Sequence, residues 1–174
     1  MFWSDAKIYQ WLEAGGVIPA DKNCVNPASL DLRLGAWYRI PQPDGWSALR
    51  AIPDAGLILA PNAFVLLATL EVTRIPDNAA AFLYLKSSAG RKGLEHLHAG
   101  YGDPGFCGQW TLEVINHWPF PRTIFEGERL FQICLADCSP VMRPYGETGH
   151  YQFQLNPTAA WQGGAAPHTC EANS

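Results

Sequence analysis

Two short runs near the middle of the chain combine residue types that handle nucleotides. Lys86-Ser87-Ser88-Ala89-Gly90-Arg91 is a small-residue turn carrying two cations and two hydroxyls, and Asp103-Pro104-Gly105 is a tight acidic turn that leads into Thr111-Leu112-Glu113. The first run can wrap phosphate oxygens with hydroxyls, backbone N–H groups and positive charge. In the second, Asp103 can accept a hydrogen bond from a sugar hydroxyl and Glu113 can move protons. Each run alone is a weak signal, because Asp-Pro-Gly is good turn chemistry in any protein and a carboxylate on a strand usually faces water.

The elements that must position these groups are short. Ser4-Asp5 followed by Ile8, Trp11 and Leu12 at helical spacing, with Gly15-Gly16 behind them, predicts a capped amphipathic helix. Ser29 to Gly35 alternates polar and apolar residues, which predicts a half-buried strand with Leu30, Leu32 and Leu34 toward the core. Pro41 to Ala55 is rich in Pro, Gly and Asp and reads as a surface excursion. Apolar runs then recur between turn signals at Leu57 to Leu59, Phe64 to Ala68, Ala81 to Leu85, Trp110 to Ile115 and Arg129 to Leu135, the pattern of a barrel or sandwich. In the fourth run, Trp110, Leu112 and Val114 share one face and leave Thr111 and Glu113 on the other.

Composition narrows the class. With 174 residues, 48% of them hydrophobic and 16% charged, the chain fits one domain with a real core, and 14 Pro with 16 Gly fit many short elements. A net charge of −4 supplies no basic field for a nucleic acid polymer, so phosphate binding must come from a local cluster. No apolar stretch approaches the ~20 residues of a membrane span, and Met1 to Asp5 lacks a signal peptide's pattern, so a soluble, cytoplasmic protein is expected. Five cysteines without dense spacing read as reduced thiols, and Cys134 and Cys138 as structural ones rather than metal ligands.

Several separated blocks, in order, resemble the dCTP deaminase branch of the dUTPase-like nucleotide hydrolases over nearly the whole chain through Gln154. They are the helix with Trp11-Leu12-Glu13, Asn26 to Gly35, the Ser-Ser-x-x-Arg turn at Ser87 to Arg91, and Asp103 to Gly105. Leu112-Glu113, Glu126-Gly127-Glu128 and Tyr151-Gln152-Phe153-Gln154 complete the set. The resemblance implies a mainly β, distorted, jelly-roll-like barrel over residues 1–155 with a short N-terminal helix. It also implies a homotrimer whose active sites lie between subunits. Residues 156–174 would be a flexible tail able to act as a lid.

The same resemblance implies hydrolytic deamination of dCTP to dUTP and ammonia without zinc. Glu113 stands at the general acid/base position, and Ser87 with the backbone carbonyl of Ala99 would hold the attacking water. Arg91 would lie near the reacting edge, or else touch phosphate or a neighbouring subunit. Lys86, Ser87 and Ser88 would meet the triphosphate, although the family more often has arginine at Lys86, and lysine lacks the bidentate fork. Asp103 would accept the deoxyribose 3′ hydroxyl, and the backbone near Thr111 would read the pyrimidine edge. Tyr145, His150 and Gln154 would close over the phosphates, with His150 replacing a lysine, and an imidazole is cationic over only part of the physiological pH range.

His98 stands where bacterial deaminases tend to carry threonine, and Ala99-Gly100 resembles the bifunctional branch that deaminates and then removes pyrophosphate. Alternatives to the dUTP-forming enzyme are therefore a dUMP-forming bifunctional enzyme, a deaminase for a modified dCTP, and a non-catalytic nucleotide-binding regulator. A plain dUTPase is disfavoured by the deaminase-type turn and Glu113. The His-x-Glu and Pro-Cys-x-x-Cys pairing of zinc cytosine deaminases is absent from the sequence. Magnesium is expected only through the nucleotide phosphates, with no protein side chain as its ligand.

Overall fold

The computed structural model of the protein describes residues 1–163. The part of the expected tail from 164 to 174, with Cys170, lies outside the described residues. The N-terminal helix α1 (Asp5–Glu13) buries Ile8, Trp11 and Leu12, as their spacing predicts. Its N-cap differs from expectation: the Ser4 side chain makes no cap bond, and the Asp5 carboxylate instead accepts the Ala6 N–H at 2.7 Å. At the other end Gly15 N–H donates to the Leu12 carbonyl and Gly16 N–H to that of Trp11, with Gly15 at φ 75°. This is the double closure that a left-handed glycine permits.

The main sheet is built from β1 (Ser29–Arg39), β2 (Phe64–Thr69), β3 (Ala79–Leu85), β4 (Leu94–His96), β5 (Tyr101–Gly102), β6 (Thr111–Asn116) and β7 (Arg129–Asp137). They hydrogen-bond in the order β4-β6-β2-β1-β7-β3-β5, each neighbouring pair antiparallel. Residues at alternate positions shape the core: Leu30, Leu32 and Leu34 of β1, Leu112 and Val114 of β6, and Phe131, Ile133 and Leu135 of β7 are all buried. Between Leu34 and Tyr38 the β1–β2 register shifts, and Gly35 sits there because a Cβ would lie 3.0 Å from the Thr69 carbonyl oxygen.

The sheet curls until its two edge strands are neighbours in sequence. Only Leu97 to Gly100 separate β4 from β5, and that loop is bonded to both sides: Leu97 N–H donates to the Glu113 carbonyl at 3.2 Å, and Gly100 accepts from Leu83 N–H at 2.7 Å. A side chain at Gly100 would collide with the Leu83 carbonyl oxygen. The segment from Pro41 to Ala55 is less of an excursion than its composition suggests. It forms a hairpin (Pro41–Gln42 with Gly45–Trp46), buries Ser47 and Ile52, and pairs Arg50–Ala51 with β1.

Two charged pairs are locked into this frame. Glu71 is buried and accepts both the backbone N–H and Nε–H of Arg33, at 2.9 and 2.6 Å. Burial pushes its carboxyl above the usual range, and the Arg33 hydrogen bonds pull against that shift. Buried Asp31 accepts from Asn26 Nδ2 at 2.9 Å and from the Lys86 ammonium. Burial also raises the Cys24 and Cys134 thiols, in keeping with structural cysteines. No helix among the described residues is long and apolar enough to cross a membrane.

Glu71→Ala would remove the closest partner of the largely enclosed Arg33 guanidinium and leave it the Asp21 carboxylate at 3.6 Å and the Pro19 carbonyl at 3.2 Å, and should destabilise the fold by about 3 kcal/mol, the low end for breaking a buried pair. Denaturant unfolding measures this directly; a loss below ~1 kcal/mol, the range of exposed pairs, would show that the pair does not hold β1.

Candidate active site

A cavity of about 370 Å³ lies over the outward face of β2 and β6. Pairing Glu113 with Leu66 and Ile115 with Phe64 fixes its floor, where Thr111 and Glu113 point up from β6 as the alternation predicts. Trp46 from the Pro41–Trp46 hairpin packs edge-on against Phe64 at 5.4 Å, while Phe106 meets Trp110 and Tyr145 at 5.2 and 5.6 Å. Trp110 Nε1–H donates to buried Thr73 at 2.9 Å, which orients its ring. Flat apolar walls with a few convergent polar groups suit a planar ring bearing hydrogen-bonding edges.

The polar groups come from four places. Ala99 arrives on the loop that closes the sheet, and Asp103 on the turn held by the Phe106 N–H bond to the Asp103 carbonyl. Glu113 is one-quarter exposed, and its Oε2 lies 3.3 Å from Nε2 of the buried His96 imidazole. Neither atom has a hydrogen-bond partner among the described residues, so the two face each other off the line of a bond. Tyr145, Tyr151 and Gln154 come from the C-terminal segment. Burial raises the Tyr145 phenol, the Tyr151 N–H bond to its oxygen opposes that, and nearby Asp103 adds to the rise; the phenol stays neutral.

A second cavity of about 250 Å³ shares Asp103, Tyr145 and Tyr151 with the first and adds Arg143 and His150. The His150 ring stacks on Trp161 at 3.8 Å and 10°. A strap from Phe153 to Thr158 covers this region by zipping onto the approach to β6. Phe153 N–H donates to Cys107 at 2.7 Å, Gln109 N–H to Gln154 at 3.0 Å, and Gln154 Nε2–H back to Gln109 at 2.8 Å. Asn156 N–H then donates to Gln109 Oε1 at 2.6 Å and Thr158 N–H to Thr111 Oγ1 at 3.1 Å. Arg39 ties strap to hairpin, donating to the carbonyls of Pro157 at 2.9 Å and Ser47 at 2.8 Å.

One chain thus gathers Glu113, Ala99, Asp103, Thr111, Tyr145 and Gln154 around one cavity, with His150 in the adjoining one. It does not bring Lys86, Ser87, Ser88 or Arg91 to either. They occupy or flank the short helix α2 (Ser87–Gly90) at the end of β3, where Ser87, Ser88 and Arg91 are exposed and Lys86 is engaged by Asp31. His96 is buried and His98 exposed at φ 57°, and among the described residues no three His, Cys, Asp or Glu side chains form a metal-binding group. Trp46, Tyr151, Arg143 and His96 are not site candidates on sequence. Arg143 had only one signal, a cation in a proline-bounded stretch ahead of His150.

Residues 2–138 match a family model described as dCTP deaminase-like. The dUMP-forming dCTP deaminase of Kocuria rhizophila is 38% identical over 180 residues, covering 92% of this chain and 94% of its own. That of Clavibacter michiganensis subsp. michiganensis is 37% identical, covering 92% and 90%. Among solved structures, the 2′-deoxycytidine 5′-triphosphate deaminase from Agrobacterium tumefaciens has a TM-score of 0.66 at 23% identity, over 77% of this chain and 48% of that one. The chain spans about half the length of that structure, and the likeness is one of fold, matching the mainly β, curled architecture expected from the sequence.

Gln109→Ala should free the strap. Hydrogen–deuterium exchange at Asn156 and its neighbours should accelerate by roughly 10-fold, the equivalent of one hydrogen bond, while Thr111–Asn116 keeps its protection. Unchanged exchange at Asn156 would show that other contacts hold the strap.

Proposed function

The chain belongs to the dCTP deaminase-like family, and from that premise we propose that it hydrolyses dCTP twice, releasing ammonia from the base and pyrophosphate from the phosphate arm to leave dUMP. The observation that carries the deamination reading is Glu113, a carboxyl that lines an aromatic-walled cavity together with Ala99 and Asp103. The dUMP-forming alternative is favoured over dUTP as end product by relatives of that activity matching over nine-tenths of both chains, together with the Ala99-Gly100 pair.

In this reading Glu113 takes a proton from the water that attacks C4 of cytosine and returns protons to the ring and the departing ammonia, so that one carboxyl serves each transfer. The Ala99 carbonyl and the Ser87 hydroxyl hold that water. Asp103 accepts the 3′ hydroxyl and the Thr111 backbone meets the pyrimidine edge. Tyr145, Gln154 and His150 attend the phosphate arm, where Arg143 adds a cation next to His150.

Ser87, Ser88 and Arg91 are exposed and do not line the cavity of their own chain. They are supplied by a neighbouring copy in a homotrimer, as is whatever charge Lys86 offers beyond its bond to Asp31. Magnesium accompanies the triphosphate, held by phosphate oxygens and water, and zinc has no part.

Purified protein incubated with dCTP and magnesium should yield ammonia, pyrophosphate and dUMP in equal amounts without accumulating dUTP. Ammonia with accumulating dUTP would restore the dUTP-forming reading; dUMP from dUTP without ammonia would make the protein a dUTPase, and no turnover a binding protein. Glu113→Gln should lower kcat by about 10²–10⁴-fold while nucleotide binding stays within a few-fold, as seen by single-turnover kinetics and titration. Near-normal turnover would remove Glu113 from the mechanism.

A further inference from the structure

We propose that His96 is the positioning residue for Glu113: its buried imidazole donates the Nε2 proton to Oε2 and leaves Oε1 as the oxygen that exchanges protons in the cavity. The inference rests on the deamination reading of this site and adds to it the group that orients the acid/base.

Three observations converge. Nε2 and Oε2 are both buried and both without a hydrogen-bond partner, and they lie 3.3 Å from each other. An unpaired buried polar atom costs free energy comparable to a lost hydrogen bond, so two of them facing one another define a bond that a small rotation of the carboxyl completes. Catalytic hydrogen bonds are commonly this loose before substrate binds and tighten afterwards. Second, Oε2 of Glu113 is a buried unpartnered atom and Oε1 is not, while the side chain is one-quarter exposed and lines the cavity, so Oε1 is the oxygen left to face it.

Third, the imidazole is held from several directions. Its ring stands edge-on to Phe131 at 5.4 Å and 83°. Its backbone is in register with Val114, and the following residue, Leu97, donates directly to the Glu113 carbonyl. A donor fixed to the strand of its own acceptor moves with it. Acid/base work on a water, a ring nitrogen and an amine needs one oxygen presented in a constant direction. A carboxyl free to turn would lose part of each proton transfer, and misplacement by about 1 Å costs on the order of 10²-fold.

The test combines kinetics with a readout that needs no turnover. His96→Leu keeps an apolar side chain against Phe131 but removes the donor, and should lower kcat for ammonia release roughly 10- to 100-fold with KM near that of the wild type. His96→Gln, whose amide nitrogen can stand where Nε2 stands, should recover most of that loss. His96→Asn, whose nitrogen falls short, should not. Long-range ¹H–¹⁵N spectra of the wild-type protein should show the His96 proton on Nε2, with that resonance moved by Glu113→Gln.

Wild-type kcat in His96→Leu, an effect confined to KM, or an imidazole bearing its only proton on Nδ1 would each overturn the assignment. Should His96→Leu fail to fold, the Gln and Asn variants and the spectra decide it. Absence of ammonia from the wild-type protein would instead overturn the functional reading, with the spectra still deciding whether His96 donates to Glu113.

Discussion

Closure of the curled sheet is the constraint on which the site depends. Leu97 to Gly100 must cross from β4 to β5 while staying bonded to β6 on one side and β3 on the other. A crossing that tight leaves no room beyond a backbone at Gly100, and the left-handed turn at His98 follows from the same shortage of length. Because the loop is anchored on the Glu113 carbonyl, Ala99 cannot drift from the cavity without breaking the seam. The loop that joins the two edge strands and the Ala99 wall of the cavity are one structural feature.

Charge placement follows a similar economy. Arg33 with Glu71 and Lys86 with Asp31 join buried carboxylates to cations inside the frame, where an unpaired charge would be costly. Glu113 is treated differently. Among the described residues no lysine or arginine lines its cavity, and the basic group against it is the His96 imidazole.

Local patterns were legible in the sequence wherever a period of two or a turn signal decided the outcome. Leu30, Leu32 and Leu34 point inward, Thr111 and Glu113 point outward, and Gly15-Gly16 ends the helix. What was not legible depends on contacts between distant positions. The Lys86 cation reads naturally as a phosphate ligand beside two serines, yet Asp31, 55 positions earlier, engages it. Trp46 lies in a stretch whose Pro and Gly content signals a loop, and only Arg39, bonded at once to Ser47 and Pro157, reveals that the hairpin and the strap are parts of one cover. The Ser4 cap failed for the opposite reason: an adjacent Asp5 carboxylate competes for the same first-turn amides and is the stronger acceptor.

The separation of α2 from the cavity has a topological cause. β3 pairs with β5 along one part of its length and carries α2 just past its C-terminal end, and the Ser-Ser turn there does not line the cavity of its own Glu113. The outward face of the same strand carries Phe82 and Tyr84, with Phe2 and Tyr101 edge-on to Phe82 at 6.0 and 5.6 Å, and Phe2, Tyr84 and Tyr101 are exposed. Contiguous aromatic surface of that kind is costly to leave in water. In the proposed trimer, covering it and carrying one copy's Ser87 and Ser88 hydroxyls toward another copy's Glu113 would become the same event.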